Sequence, residues 1–207
     1  MIRVGLTGGI AAGKSTVSAR LAKDGAKVID YDRLAHQVLD PGGPGVAPVL
    51  RRFGRECADA HGGVNRAALA SLVFGGGGAD QARRDLEAIV HPLVYDLADQ
   101  AEGPWRNHPL VVVHDVPLLA EAHDTIPFTF DHVIAVEAPD DLRIARMVNQ
   151  RHMTCSQAVD RMDSQTSQTV RRRLADLVVD GSESIEHMFE SVDRIYERLR
   201  SEADRLR

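Results

Sequence analysis

The stretch Gly8-Gly9-Ile10-Ala11-Ala12-Gly13-Lys14-Ser15 decides the fold. It satisfies G-x-x-x-x-G-K-[ST], a spacing whose glycines let backbone N–H groups curl around phosphate oxygens at the start of a helix. In that chemistry Lys14 reaches the β- and γ-phosphates of a nucleoside triphosphate, and the Ser15 hydroxyl sits on Mg²⁺. The flanks agree. Ile2-Arg3-Val4-Gly5-Leu6 reads as a strand, and beyond Lys14 the residues Val17 and Leu21 stand four apart, as on one helix face, until Gly25. Lysine occurs only at positions 14, 23 and 27, so a lysine in this loop is hard to ascribe to composition.

Working outward, Lys27-Val28-Ile29, Leu110 to Val113, His132 to Val136 and Leu177 to Val179 read as further apolar strands, with helical periodicity between them. Pro139-Asp140-Asp141 opens one helix with proline and acids in its first turn. Ile185, Met188, Phe189, Val192, Ile195, Tyr196 and Leu199 line one face of another. Strands apolar throughout and alternating with helices predict an α/β fold around a parallel five-stranded sheet, covered on both sides. Residues 46–106 carry helical fragments but no clear strand. They are too long for a loop, so they predict a folded helical insertion entered through Pro41-Gly42-Gly43-Pro44-Gly45, with a loose tip at the tetraglycine 75–78. The expected organisation is a nucleotide-binding core of residues 1–45 and 107–207, the insertion 46–106, and a polar, arginine-studded lid at about 150–173.

Composition narrows the class. Hydrophobic residues make up 43% and charged residues 27% of 207, and Lys+Arg 25 against Asp+Glu 30 leaves a net charge of −5. That balance argues against a general polyanion binder, so neither nucleic acid nor a membrane surface is an expected partner. The longest aliphatic stretch, Leu110 to Val113, is far short of the roughly 20 residues that cross a bilayer. No signal-peptide core precedes the first strand, and a cytoplasmic monomer is expected. Cys57 and Cys155 lie far apart and read as small apolar filler.

Motors, switches and kinases share the loop, so the reaction must come from other residues. Asp30 and Asp32 end the second strand with a spacing of two, which turns both to one side of an extended segment. Parallel strands deliver their carboxyl ends to the edge that holds the phosphate loop. A carboxylate there can take a proton from an attacking hydroxyl or hold magnesium; the alternative is a turn aspartate followed by a helix cap. Asp115, ending the third strand, is open to the same pair of readings. A GTPase would carry Asn-Lys-x-Asp, which the three lysine positions rule out. A nucleoside or nucleotide monophosphate kinase and an ATP-binding regulatory switch remain as alternatives.

The run Gly5-Leu6-Thr7-Gly8-Gly9-Ile10, then Gly13-Lys14-Ser15-Thr16-Val17 and Val28-Ile29-Asp30-Tyr31-Asp32, closely resembles the dephospho-coenzyme A kinase family. The resemblance continues through His91-Pro92-Leu93, Pro117-Leu118-Leu119 with Glu121, and Leu142 to Arg146, to about Asp180. It implies a P-loop three-layer fold and ATP-dependent phosphorylation of the ribose 3′-hydroxyl of dephospho-CoA. It also implies roles by position. Asp32 is the general base and a magnesium ligand beside Ser15, with Asp30 its neighbour. The loop from Gly8 to Thr16 is the ATP cradle. Arg146 lies beside the transferred phosphoryl group, with Arg143 in reserve and Arg151 opening the lid. Asp30, His91 and Asp115 stand on the acceptor side. His91 is equally readable as a cap or core histidine before a proline-started helix, and Arg171-Arg172-Arg173 as a solvated face or a nucleotide contact. Three residues depart from the family pattern: Ala11 for the middle glycine of the loop, Tyr31 between the aspartates, and His152 after Arg151. If the loop needs a positive φ at Ala11, its methyl group is strained there.

Overall fold

The computed structural model describes residues 1–75 and 78–206; of the tetraglycine expected as a loose tip, Gly76 and Gly77 lie outside the described residues. Because β1 (Ile2–Gly8) is apolar on both sides, with every residue but Arg3 buried, it can only be an interior strand. It lies at the centre of a five-stranded parallel sheet ordered β2-β3-β1-β4-β5, with β2 at Lys27–Asp30, β3 at Val111–Asp115, β4 at His132–Glu137 and β5 at Leu177–Asp180. The register pairs Leu6 with Asp115 and Asp30 with Asp115 across neighbouring strands, which brings these residues to the carboxyl edge of the sheet.

Helices α1 (Lys14–Asp24) and α10 (Ile185–Arg205) cover one face. Val17, Leu21, Met188, Val192 and Leu199 from these helices share a core with Val4, Leu6, Ile134 and Val136 from the sheet. Arg20 joins the two helices through a two-pronged ion pair with Asp193, at 2.6 Å on each prong. Of the predicted stripe on α10, the first member, Ile185, is 48% exposed, since the helix meets the sheet only from Met188 onward.

The stretch read as a lid, about 150–173, is helical: it begins at the end of α7 (Asp140–Arg151) and holds α8 (Cys155–Asp163) and most of α9 (Gln168–Leu174), with the short α6 (Leu119–Ala122) earlier in the chain. His152 turns left-handed at φ 54° to end α7, and a Thr154/Gln157 capping box starts α8. Cys155, expected as filler, is exposed as the first residue of α8.

The chain forms two compact units, Met1–Asp30 with Glu102–Arg207, and Tyr31–Ala101. Contacts thus group α2 (Tyr31–Leu39) with the helical insertion, whereas the sequence reading began the insertion at residue 46. The second unit also holds α3 (Val46–Phe53), α4 (Arg66–Phe74) and α5 (Ala79–Glu102, whose last residue belongs to the first unit). It has its own core of Val49, Phe53, Cys57, Val64, Leu69 and Val73, against which Leu86 and Ile89 pack. Cys57 is the apolar filler its sequence position suggests, and burial pushes its thiol pKa up. No helix among the described residues is long and apolar enough to cross a membrane.

Candidate active site

The loop between β1 and α1 is built from backbone geometry. Gly13 caps α1 at φ 111°, a left-handed conformation open to glycine, and no side chain caps the first turn. Ala11 also has a positive φ, 60°, so the strain foreseen for its methyl group is present. Gly9 makes room for a guanidinium: a Cβ there would come within 2.7 Å of Arg143 Cζ, and Arg143 would have to shift. Three loop amides are spent inside the protein: Gly9 N–H donates to the Val136 carbonyl at 3.3 Å, Ile10 N–H to Gln165 Oε1 at 2.8 Å, and Ala12 N–H to the Gly9 carbonyl at 3.0 Å. The N–H groups of Ala11, Gly13, Lys14 and Ser15 have no acceptor among the described residues. Within the expected cradle of residues 8–16 these four amides, at the positive end of α1, are the donors left to bind an anion.

Lys14 does not stand free. Its ammonium group forms an ion pair with Asp115, which ends β3 with only 6% of its surface exposed. Asp115 is therefore more than a strand-end turn residue. Asp30, its register partner on β2, is exposed beside it, and Ser15 is exposed on the first turn of α1. The strand edge thus gathers Lys14, Asp115 and Asp30. Asp32 lies two residues past that edge, exposed in the first turn of α2, and belongs to the second unit.

Two of the arginines bond to the backbone of the loop itself. Arg146 spends its guanidinium on backbone carbonyls: Nη1 donates to Ala11 at 3.1 Å and Ala12 at 3.4 Å, and Nη2 to Gly181 at 2.8 Å. Arg143, 3% exposed, donates from Nε to the Ile10 carbonyl at 2.9 Å and pairs with Asp140 at 3.0 Å. Burial, and then the charge of Arg171, lower its pKa. In this structure both grip the loop from behind. Of the Arg171-Arg172-Arg173 run, the first is buried in a two-pronged pair with Glu137, at 2.6 and 2.9 Å, while the other two form the solvated face. Arg151, at the end of α7, is exposed. A cavity of about 280 Å³ adjoins the loop, lined by Ala11, Gly13, Thr16, Arg146, Gly181 and Met188, among others.

In the second unit His91 is neither a cap nor a core residue. Helix α5 runs through Pro92 without a break, and His91 is exposed on it, its ring 6.0 Å from that of Tyr95, which is 6.4 Å from Tyr31. Tyr31, one of the departures from the family, is buried, and the ring pair ties the first turn of α2 to α5.

One polar group escaped the sequence reading. Glu102, fully buried, accepts from Arg3 at 2.6 and 2.7 Å and from the buried His114 at 2.9 Å. Burial pushes the Glu102 carboxyl up, but its bonds to Arg3, His114 and Arg106 outweigh this and hold its pKa at about 2. Burial lowers the His114 pKa to about 4 despite the opposing pull of Glu102. The available signal was Arg3, a charge inside an otherwise apolar central strand.

The family model described as dephospho-CoA kinase matches residues 2–187. The dephospho-CoA kinase of Bifidobacterium longum is 48% identical over 198 residues, 95% of each chain. That of Frankia casuarinae is 43% identical over 205 residues, 99% of this chain and 86% of its own. Among solved structures, a protein from Thermus thermophilus superposes with a TM-score of 0.78 at 28% identity, over 95% of this chain and 96% of its own. The dephospho-CoA kinase from Campylobacter jejuni, 20% identical, shares the fold with a TM-score of 0.65 over 95% of this chain and 96% of its own. With a phosphate loop, an acidic strand edge and these relatives across nearly its whole length, the chain belongs to the dephospho-CoA kinase family.

Proposed function

We propose that the protein transfers the γ-phosphoryl group of ATP to the ribose 3′-hydroxyl of dephospho-CoA, giving coenzyme A and ADP, the last step of coenzyme A synthesis. The observation that carries this reading is the phosphate loop, with Gly13 left-handed and Lys14 against Asp115, in a chain that matches the family over residues 2–187.

Phosphoryl transfer asks a protein for position and charge neutralisation more than for covalent chemistry. The amides of Ala11, Gly13, Lys14 and Ser15 hold the phosphates, and Lys14 exchanges part of its pairing with Asp115 for the β- and γ-phosphates. The nucleoside lodges in the cavity beside Thr16 and Arg146, next to the cradle. Asp32 accepts the proton of the 3′-hydroxyl as that oxygen attacks phosphorus and the bond to the ADP oxygen breaks. Asp30 and Asp115 set the charge at the strand edge, and His91 with Arg151 serves the acceptor and the lid. The acceptor unit is the helical insertion, and residues 150–173 form the lid.

Among the described residues no three histidine, cysteine or acidic side chains gather as a ready-made metal cage. The oxygens of Ser15 and Asp32 suit magnesium, which takes one or two protein ligands and completes its shell with phosphate and water. When bound it would offset charge on the phosphates.

The test is a coupled ADP-release assay with ATP and dephospho-CoA, followed by mass analysis of the product. The expected product is heavier than dephospho-CoA by one phosphoryl group and carries it on the 3′-oxygen. ADP release unaffected by dephospho-CoA, with the acceptor recovered unchanged, would refute the reading.

A further inference from the structure

The α8–α9 turn is tied to the phosphate loop by a side chain that the family resemblance does not single out. Gln165 Oε1 accepts from Ile10 N–H at 2.8 Å and from Arg143 Nη2 at 3.4 Å. Arg143 Nε meanwhile donates to the Ile10 carbonyl at 2.9 Å. Both backbone polar groups of Ile10 are thus held by side chains from the C-terminal part of the chain. The next residue of the turn is fixed as well: Thr166 N–H donates to Glu121 Oε1 at 2.8 Å, and its carbonyl accepts from Arg171, itself locked onto Glu137.

The geometry has a consequence for the cradle. A trans peptide is planar, with its C=O and N–H pointing in opposite directions. Holding the Ile10 carbonyl toward Arg143 therefore turns Ala11 N–H, in the same peptide, to the other side. Holding Ile10 N–H toward Gln165 fixes the preceding peptide. The strained φ at Ala11 is retained under the same restraint. We propose that Gln165, acting with Arg143, is a positioning residue: it holds the Ile10 peptides so that Ala11 N–H, with the unbonded amides of Gly13, Lys14 and Ser15 after it, faces the ATP phosphates. Neither residue touches the transferred group in this role. The inference rests on the reading of this loop as the ATP site and adds how the loop is shaped.

Gln165 is half-buried on a turn, so Gln165→Leu keeps the volume, removes the acceptor and leaves the core intact. One hydrogen bond corresponds to an effect of about 3- to 10-fold. Gln165→Leu should therefore raise KM for ATP, and the Kd of ADP measured by calorimetry, by about that factor, with KM for dephospho-CoA within about twofold of the parent. Gln165→Ser, too short to reach Ile10, should do the same and serves if the leucine variant fails to fold. Combined with Arg143→Lys, the effects should fall short of multiplying, because both side chains act on the same residue. Unchanged ADP affinity in the Gln165 variants, an equal loss for ATP and dephospho-CoA, or strictly multiplicative effects would overturn the proposal. Failure of the ATP reading itself would show separately, as absence of saturable ADP binding in the parent protein.

Discussion

Residues at the strand edge can be separated by their chemistry. Lys14→Ala should depress turnover about 100- to 1,000-fold, because it removes the charge proposed to reach the transferred phosphoryl group; it also leaves the mostly buried Asp115 without its ion-pair partner, so folding of the variant is checked alongside. Near-parent turnover in a folded variant would remove the loop from the active site. For the aspartates, Asp32→Asn should lower kcat about 100-fold or more with ADP affinity within a few-fold, and Asp30→Asn should cost less. The reverse order would exchange their roles. Ala11 offers a test in the opposite direction. Its φ of 60° costs a residue with a Cβ, so Ala11→Gly should raise stability by up to about 1 kcal/mol, roughly 2–4 °C in melting temperature. A fall in melting temperature would show that the loop carries no strain there. The residues of the loop were legible in sequence because glycine and lysine spacing encodes backbone shape directly. The bonds of Arg143, Arg146 and Gln165 were not, since they reach across more than 130 residues and nothing local announces which carbonyl or amide a long polar side chain will find.

At the scale of elements, all five strands and the two helices of the main core follow from apolar runs and periodicity, because a doubly covered parallel sheet leaves its strands no other composition. Helix α5 shows the limit. Pro92 reads locally as a helix start, yet the helix runs through it, its neighbours Leu86 and Ile89 being packed against the insertion core on one continuous face. The Arg3–Glu102–His114 group ties the end of α5 to β1 and β3, and it makes stability depend on pH. His114 has a folded pKa of about 4, below its ordinary 6.5, so the native state resists its protonation; its contribution is complete above about pH 6.5 and lost as pH falls toward 4. Glu102, at about 2 against 4.5, loses its contribution lower still. Between pH 7 and 4.5 the protein should lose on the order of 1–3 kcal/mol through His114, read by urea unfolding. His114→Gln, less stable at pH 7, should lose less over that window. Identical pH slopes would contradict the assignment.

For the whole molecule, the expected acceptor is dephospho-CoA in preference to smaller molecules that carry the same hydroxyl. The second unit has a core of its own. Binding energy from acceptor parts remote from the 3′-hydroxyl can then be used to orient that hydroxyl and to exclude water. Adenosine carries the same hydroxyl without those parts. It should lose kcat as well as affinity, and this separates a coenzyme A enzyme from a nucleoside kinase built on the same core. The direct measurement is kcat and KM for both acceptors at saturating ATP and magnesium. The account predicts kcat/KM for adenosine at least about 100-fold below that for dephospho-CoA, with kcat itself reduced; equal kcat/KM for the two acceptors would contradict it.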